Sequence, residues 1–100
     1  MLFCFRDGPT DFTLAVSLYT QAIDLAPENP IYLSNRAFAH LKLENFGSAL
    51  EDAGKAIEID PTYTKAYYRR GSAHLALLHF KEGLADFKKV CKVHNVGSRK

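Results

Sequence analysis

Residues 46–61 form the stretch FGSALEDAGKAIEIDP, and its spacing of aromatic, small and apolar residues recurs at a fixed offset. A shift of 34 positions backward gives FTLAVSLYTQAIDLAP at residues 12–27, and the same shift forward gives FKEGLADFKKVCKV at residues 80–93. Each copy opens with a phenylalanine and carries alanine or glycine three positions later. A sustained offset of this length indicates an array of similar structural units.

The segments between these copies obey the same offset. The matching pairs are Leu33 with Tyr67, Arg36 with Arg70, Ala39 with Ala73, His40 with His74, and Leu43 with Leu77. Apolar and small residues recur three or four positions apart in both segments, which is the spacing of an amphipathic helix. Each unit is therefore predicted to contain two helices.

Five helices are predicted, over residues 12–26, 30–44, 46–59, 63–78 and 80–94. Asn29 and Asn45 are suited to cap the second and third helices, and Pro30 suits a first helical turn. The small residues at positions 15, 49 and 83 permit two helix axes to approach closely. These features predict an all-α superhelix of stacked antiparallel helix pairs, with about two and a half to three units.

The composition fits one small globular domain of 100 residues, with 47% hydrophobic and 24% charged side chains. The net charge of +2 is too small for a general nucleic-acid binder. The charge is uneven, because residues 1–60 hold four basic and nine acidic side chains, whereas residues 61–100 hold nine basic and two acidic ones. The second half can therefore present an anion-binding surface or simply a solvated basic end.

Two cysteines far apart in sequence, Cys4 and Cys91, favour free thiols in a reducing compartment. The apolar residues 1–5 are too few for a signal peptide or a membrane span. A soluble cytoplasmic protein is the expectation, with the nucleus as a second location. No membrane or nucleic-acid partner is predicted.

The period of 34 residues, the small residues at Ala49, Ala56 and Gly71, the aromatic Phe80 and the closing Pro61 resemble the tetratricopeptide repeat. The resemblance covers residues 12–94, with an altered or truncated first-repeat helix in residues 1–11 and a C-terminal tail in residues 95–100. The runs NRAFAH at 35–40 and KAYYRRG at 65–71 are most similar to the co-chaperone type, including repeat domains of serine/threonine phosphatases.

This resemblance implies a protein-interaction module without catalytic activity, which binds the acidic C-terminal peptide (EEVD type) of a ninety- or seventy-kilodalton heat-shock chaperone. It implies that Asn35 on the second repeat, and Lys65 and Arg69 on the third, hold the carboxylates. Lys42, two turns beyond Asn35, is predicted as an auxiliary contact. Lys65 and Arg69 share one helix face by their spacing. Arg70 matches Arg36 and is predicted to brace adjacent helices or acidic side chains between units, so both arginines are left out of the site.

The start of the chain departs from the family pattern. The first-repeat asparagine falls on Cys4, and the first-repeat lysine falls before Met1. Two of the five carboxylate donors are therefore missing, and weak binding is expected because each lost contact costs about tenfold in affinity. The alternative is a structural or self-associating repeat scaffold with an incomplete clamp.

No residue pattern indicates an enzyme, a cofactor or a metal. His40 and His74 occupy equivalent repeat positions and are predicted to pack, and His79 and His94 have no ligand partner at metal-binding spacing. Glu51 and Asp52 are predicted to be solvent-exposed on the outer face of their helix.

Overall fold

The computed structural model describes the backbone of residues 11–98 and the side chains of residues 11–92. Within residues 11–98 the chain forms five helices and no strand. They are α1 (Phe12–Leu25), α2 (Pro30–Lys42), α3 (Phe46–Ile59), α4 (Thr64–Ala76) and α5 (Phe80–Ser98). The predicted all-α class is confirmed, and α5 continues past residue 94 into the segment predicted as a tail. The altered helix predicted for residues 1–11 lies, apart from Asp11, outside the described residues.

The helix ends explain where the predicted bounds were wrong. Asn29 caps α2 as predicted, since its side chain accepts a hydrogen bond from the Ile31 amide at 2.9 Å, whereas Asn45 makes no side-chain capping bond to α3. Helices α2 and α4 end two residues early because Glu44 and Leu78 adopt left-handed φ angles of 62° and 66°. Glycine is the residue that usually adopts this conformation at a helix end. Because neither position is a glycine, the sequence does not indicate where these two helices end.

The helices pack as antiparallel pairs. Leu33, near the start of α2, packs against Ala56, near the end of α3, while Ala37 packs against Ala49 and Ala53. Helices α4 and α5, which follow each other in the chain, pack against each other in the same way. Helix α2 also contacts α1 and α4. The described residues thus hold two complete helix pairs, α2–α3 and α4–α5, and α1 as the second helix of a preceding unit.

Small residues fill the contacts between the helices. Ala37, Ala49, Ala53 and Ala73 are wholly or almost wholly buried in one cluster. At Gly83 there is no room even for a methyl group, because a Cβ atom built there would lie 2.7 Å from Leu75 Cδ2 and 3.2 Å from the carbonyl oxygen of Gly71. The predicted close approach of the helices is confirmed at position 83, and Ala15 and Ala49 are buried, as a close approach there requires.

Each helix pair is also joined by a buried ion pair. Arg36 donates to Asp52 through Nε at 2.7 Å and through Nη2 at 2.8 Å, and Arg70 donates to Asp86 at 2.9 and 2.8 Å. The prediction that Asp52 is solvent-exposed was wrong: Asp52 is only 4% exposed, because its helix turns it toward α2, where Arg36 neutralises it. The hydrogen bonds to these carboxylates raise the pKa of both arginines above the usual value.

Among residues 11–98, no helix is long and apolar enough to cross a bilayer.

We predict that Asp52→Ala lowers the free energy of unfolding by about 2–4 kcal/mol, because it leaves the largely buried Arg36 guanidinium without its counter-ion. The matched control is Glu51→Ala on the same helix. Glu51 is 70% exposed and lies 4.0 Å from Lys55, so its loss should cost less than about 0.5 kcal/mol. Urea unfolding measures both values, and equal losses would contradict a structural role for the buried pair.

A second prediction compares two glycines inside helices. Gly54→Ala should stabilise the domain by about 0.5–1 kcal/mol, because alanine favours helix and nothing lies within 4 Å of the new Cβ atom. Gly83→Ala should lose that gain, since its Cβ atom meets Leu75 and the Gly71 carbonyl. Thermal unfolding should rank Gly54→Ala as the more stable variant by at least about 0.5 kcal/mol, and the reverse order would show that the helices do not meet at Gly83.

Candidate functional site

One face of α2 carries two of the residues predicted to bind, Asn35 and Lys42, with Phe38 between them. Asn35, Phe38 and Lys42 are three and four residues apart, which places them on a single stripe of the helix. The ring of Phe38 packs edge-to-face against Phe12 of α1, with centroids 6.0 Å apart. The stripe therefore has an amide at one end, an aromatic ring in the middle and an ammonium group at the other end.

Arg69 of α4 reaches this stripe from the neighbouring unit. Its guanidinium carbon lies 4.5 Å from the centroid of the Phe38 ring, within the range of a cation–π interaction. The Arg69 Nε atom is buried and has no hydrogen-bond partner among the described residues. Burial lowers the pKa of Arg69 below the usual value, and only Tyr68 and Tyr63 oppose this effect. Arg69 thus carries a positive charge without an acidic partner in the described part of the chain.

The next residue along the helix has the opposite environment. Arg70 donates two hydrogen bonds to Asp86 and is neutralised within its own helix pair. The same holds for Arg36, which is paired with Asp52 and donates through Nη1 to the Thr20 hydroxyl at 3.0 Å. The predicted bracing of helices through acidic side chains is confirmed, but the carboxylate contacts lie within each helix pair and not between units. The Arg36–Thr20 bond reaches α1 of the preceding unit.

The two remaining predicted lysines are both exposed. The Lys42 Nζ atom lies 5.4 Å from the centroid of the Phe38 ring, so Lys42 and Arg69 share one aromatic ring. Lys65 lies one helical turn before Arg69 on α4 and projects into solvent. The structure therefore brings Arg69 and Lys42 together on one ring. Asn35 lies two turns before Lys42 on α2, and Lys65 lies one turn before Arg69 on α4.

Asn35 interacts with the preceding helix. Burial raises the pKa of Tyr19 on α1, and a hydrogen bond with the Asn35 side chain opposes this rise. Tyr19 therefore lies within reach of the Asn35 amide at the start of the stripe. An amide held by one partner keeps donor capacity for a second, because an NH₂ group has two N–H donors.

Sequence analysis missed Phe38 and Tyr19. The spacing of Phe38 from Asn35 and Lys42 was the available signal, since a large apolar residue lay between two predicted binding residues on one helix face. Nothing in the sequence showed that an arginine from the next unit would lie on its ring. The guanidinium of Arg69, the ammonium groups of Lys42 and Lys65 and the amide of Asn35 can all donate hydrogen bonds to carboxylate oxygens.

Other basic residues of the second half surround a separate cleft of about 660 Å³ between the start of α4 and α5. The cleft is lined by Pro61, Thr62, Thr64, Tyr67, Ala85, Lys88, Lys89 and Lys92. Lys89 Nζ lies 5.2 Å from the Tyr67 ring centroid, and the Tyr67 hydroxyl donates to the Pro61 carbonyl at 2.8 Å. Three lysines of the second half thus lie at this cleft, whereas Lys65 and Arg69 lie on a different face of α4.

Comparison with known proteins gives relatives of the expected kind. Residues 30–63 match the model of the tetratricopeptide repeat. The chain is 52% identical over 85 residues to serine/threonine-protein phosphatase T of Aspergillus oryzae, covering 85% of this chain and 18% of that protein. It is 47% identical over 83 residues to human serine/threonine-protein phosphatase 5, covering 83% and 17%. The chain spans less than a fifth of these curated relatives, and the shared segment is their non-catalytic repeat region.

Solved structures agree with this relationship. The second repeat domain of Spaghetti (RPAP3), bound to the HSP90 peptide SRMEEVD, matches with a TM-score of 0.78 and 35% identity, covering 80% of this chain and 74% of that one. A repeat domain of yeast Sti1 in complex with an Hsp70 peptide matches with a TM-score of 0.78 and 39% identity, covering 80% and 64%. The co-chaperone type of repeat indicated by the sequence is confirmed. The chain belongs to the tetratricopeptide repeat family.

Proposed function

We propose that this domain binds the acidic C-terminal peptide of a ninety- or seventy-kilodalton heat-shock chaperone through Arg69, Lys65, Asn35 and Lys42. The observation that carries the proposal is Arg69, a largely buried cation with no carboxylate partner among the described residues. A protein rarely keeps such a charge without an anion, because the ring of Phe38 offsets only part of its desolvation. A peptide carboxylate supplies that anion.

The surroundings of Arg69 support a peptide rather than a single ion. The stripe on α2 and the face of α4 spread four donor side chains over several helical turns, which suits a ligand with more than one carboxylate. Two related domains were solved with such peptides, SRMEEVD in Spaghetti (RPAP3) and an Hsp70 peptide in Sti1. In the phosphatase relatives, a repeat region of this kind is one part of a larger protein. We therefore infer that the domain brings an attached activity to the client proteins of the chaperone.

A second candidate function is self-association, and one observation favours it. Several large apolar side chains are exposed at the end of the array formed by α4 and α5, namely Leu75 at 39%, Leu78 at 70%, Phe80 at 63% and Leu84 at 57%. An apolar surface of this kind can pair with another copy. In that case the domain is a scaffold, and sedimentation velocity should show a dimer whose formation does not respond to the peptide.

The peptide proposal predicts carboxylate-dependent binding. In calorimetric titration with a peptide ending in Glu-Glu-Val-Asp, affinity should fall as salt rises, because the attraction is partly screened. Arg69→Ala should cost about 1.5–3 kcal/mol of binding free energy, the value of a charged hydrogen bond. Lys81→Ala, an exposed lysine on α5, is the matched control and should change almost nothing. Equal affinity for the C-terminally amidated peptide, or equal losses in both variants, would reject the proposal in favour of the scaffold.

The contact between Phe38 and Arg69 generates a second binding prediction. Phe38→Leu keeps an apolar side chain but removes the aromatic face, so Arg69 loses its support and peptide affinity should fall about two- to fivefold, as expected for a cation–π interaction of about 0.5–1 kcal/mol. In an Arg69→Ala background the same substitution should cost clearly less, because only the contact of Lys42 with the ring is then left to lose. This double-mutant cycle separates positioning of Arg69 from general packing, because a packing role would produce the same loss in both backgrounds.

A further inference from the structure

Two histidines meet at the turn that joins α4 to α5. The Nδ1 atoms of His74 and His79 lie 3.1 Å apart, and the ring centroids are 5.3 Å apart with the ring planes tilted by 52°. His74 is half-buried at the end of α4, whereas His79 is exposed immediately before α5. The proposed peptide site does not use either residue.

The backbone holds the two rings together. Leu78 has a left-handed φ of 66°, and this turn lets the His79 amide donate to the His74 carbonyl at 2.7 Å. The Leu78 amide donates to the Leu75 carbonyl at 3.0 Å, which completes the helix-ending motif. Main-chain hydrogen bonds therefore hold the two imidazoles next to each other. Because the turn is already ordered, a ligand that binds both nitrogens does not need to change its conformation.

We propose that His74 and His79 form a two-ligand chelating site for a divalent transition-metal ion such as Ni²⁺ or Zn²⁺. Imidazole nitrogen is a ligand that both ions favour. At a metal–nitrogen distance of about 2.1 Å, two nitrogens 3.1 Å apart subtend about 95° at the ion. This angle lies between the 90° of adjacent ligands in an octahedron and the tetrahedral angle of about 109°, so small ring rotations fit either geometry.

Proton placement is compatible with chelation. In the neutral pair, one Nδ1–H group donates to the Nδ1 lone pair of the other ring. To bind an ion with both Nδ1 atoms, the donating ring moves its proton to Nε2 through solvent, and no proton is released overall. Burial lowers the pKa of His74 below its usual value, which favours the neutral ring that a metal requires.

The charges around the pair also admit a cation. Glu82 and Asp86 of α5 act on His74 as negative charges, and Arg70 acts as a positive one. Arg70 and Asp86 are paired with each other, at 2.8 Å between Nη2 and Oδ1, so their fields largely cancel. Glu82 remains as the uncompensated neighbour. Among the described residues no group of three or more metal ligands is found, so water molecules complete the coordination and the affinity is modest.

The preceding unit supplies a natural reference for this turn. Glu44 has a left-handed φ of 62°, and the Asn45 amide donates to the His40 carbonyl at 2.8 Å, as His79 does to His74. Position 45 is asparagine where position 79 is histidine, and the His40 Nδ1 atom is buried without a hydrogen-bond partner among the described residues. The same turn thus accepts asparagine, which makes His79→Asn a conservative substitution for the fold.

The test is a titration with Ni²⁺, followed by paramagnetic broadening of backbone amide signals and by calorimetry. In the unmodified chain, broadening should centre on residues 74–79. His79→Asn should weaken Ni²⁺ binding at least about tenfold, because changes outside the ligand set alone cost about 10–100-fold. His94→Asn makes the same chemical change elsewhere on the chain and should leave the affinity unchanged.

Equal Ni²⁺ affinity in the unmodified chain and in His79→Asn would overturn the proposal, as would broadening that centres away from residues 74–79. A loss of binding in His79→Asn counts in its favour only if the circular dichroism spectrum and melting temperature without metal match those of the unmodified chain. Where they do not match, His74→Gln replaces His79→Asn in the titration, and unchanged affinity in that variant also overturns the proposal. The peptide-binding experiments are independent of every one of these outcomes.

Discussion

The close approach of helices through side chains no larger than a methyl group governs this domain. Alanines at 37, 49, 53 and 73 are buried between α2, α3 and α4, and Gly83 lies against Gly71 across the α4–α5 contact. Such a core supplies little apolar area for each residue, so its stability depends on many short-range contacts between helices rather than on a few large side chains. The same closeness brings α4 beside α2, which allows Arg69 of one unit to lie on Phe38 of another.

The buried arginine–aspartate pairs add a second constraint to this packing. Taking two charges out of water costs free energy, and this cost is offset only where the geometry is good and both partners are hydrogen-bonded. Both pairs meet that condition, since each is bidentate at 2.7–2.9 Å. Because the pair forms at only one alignment of the two helices, it fixes how far one helix lies along the other. The position equivalent to Asp52 in α1 is Leu18, which is 42% exposed, so this unit has no such acceptor on α1.

Most of the fold could be predicted from the sequence, because the offset of 34 residues appears in apolar and small residues whose environment is the same in every unit. The helix starts were within one residue of the structure for that reason. The ends of α2 and α4 were not, since Glu44 and Leu78 adopt a conformation that their residue types do not announce. Asp52 was placed on the outer face because a charged residue is usually exposed, and only the position of Arg36 on the facing helix reverses that expectation.

The candidate site shows where a repeat pattern stops being informative. Arg69 and Arg70 are consecutive and chemically identical, yet a rotation of about 100° per residue turns them toward different neighbours. Arg70 meets Asp86 and becomes part of the framework, whereas Arg69 meets the ring of Phe38 and keeps its charge available. The offset marked Arg70 as framework, because it recurs as Arg36, and it placed Arg69 at the position of Asn35, where the residue type differs between the units. A residue that does not repeat within a repeating framework is free of the demands of packing between units, and such positions are where binding specificity can differ from one unit to the next.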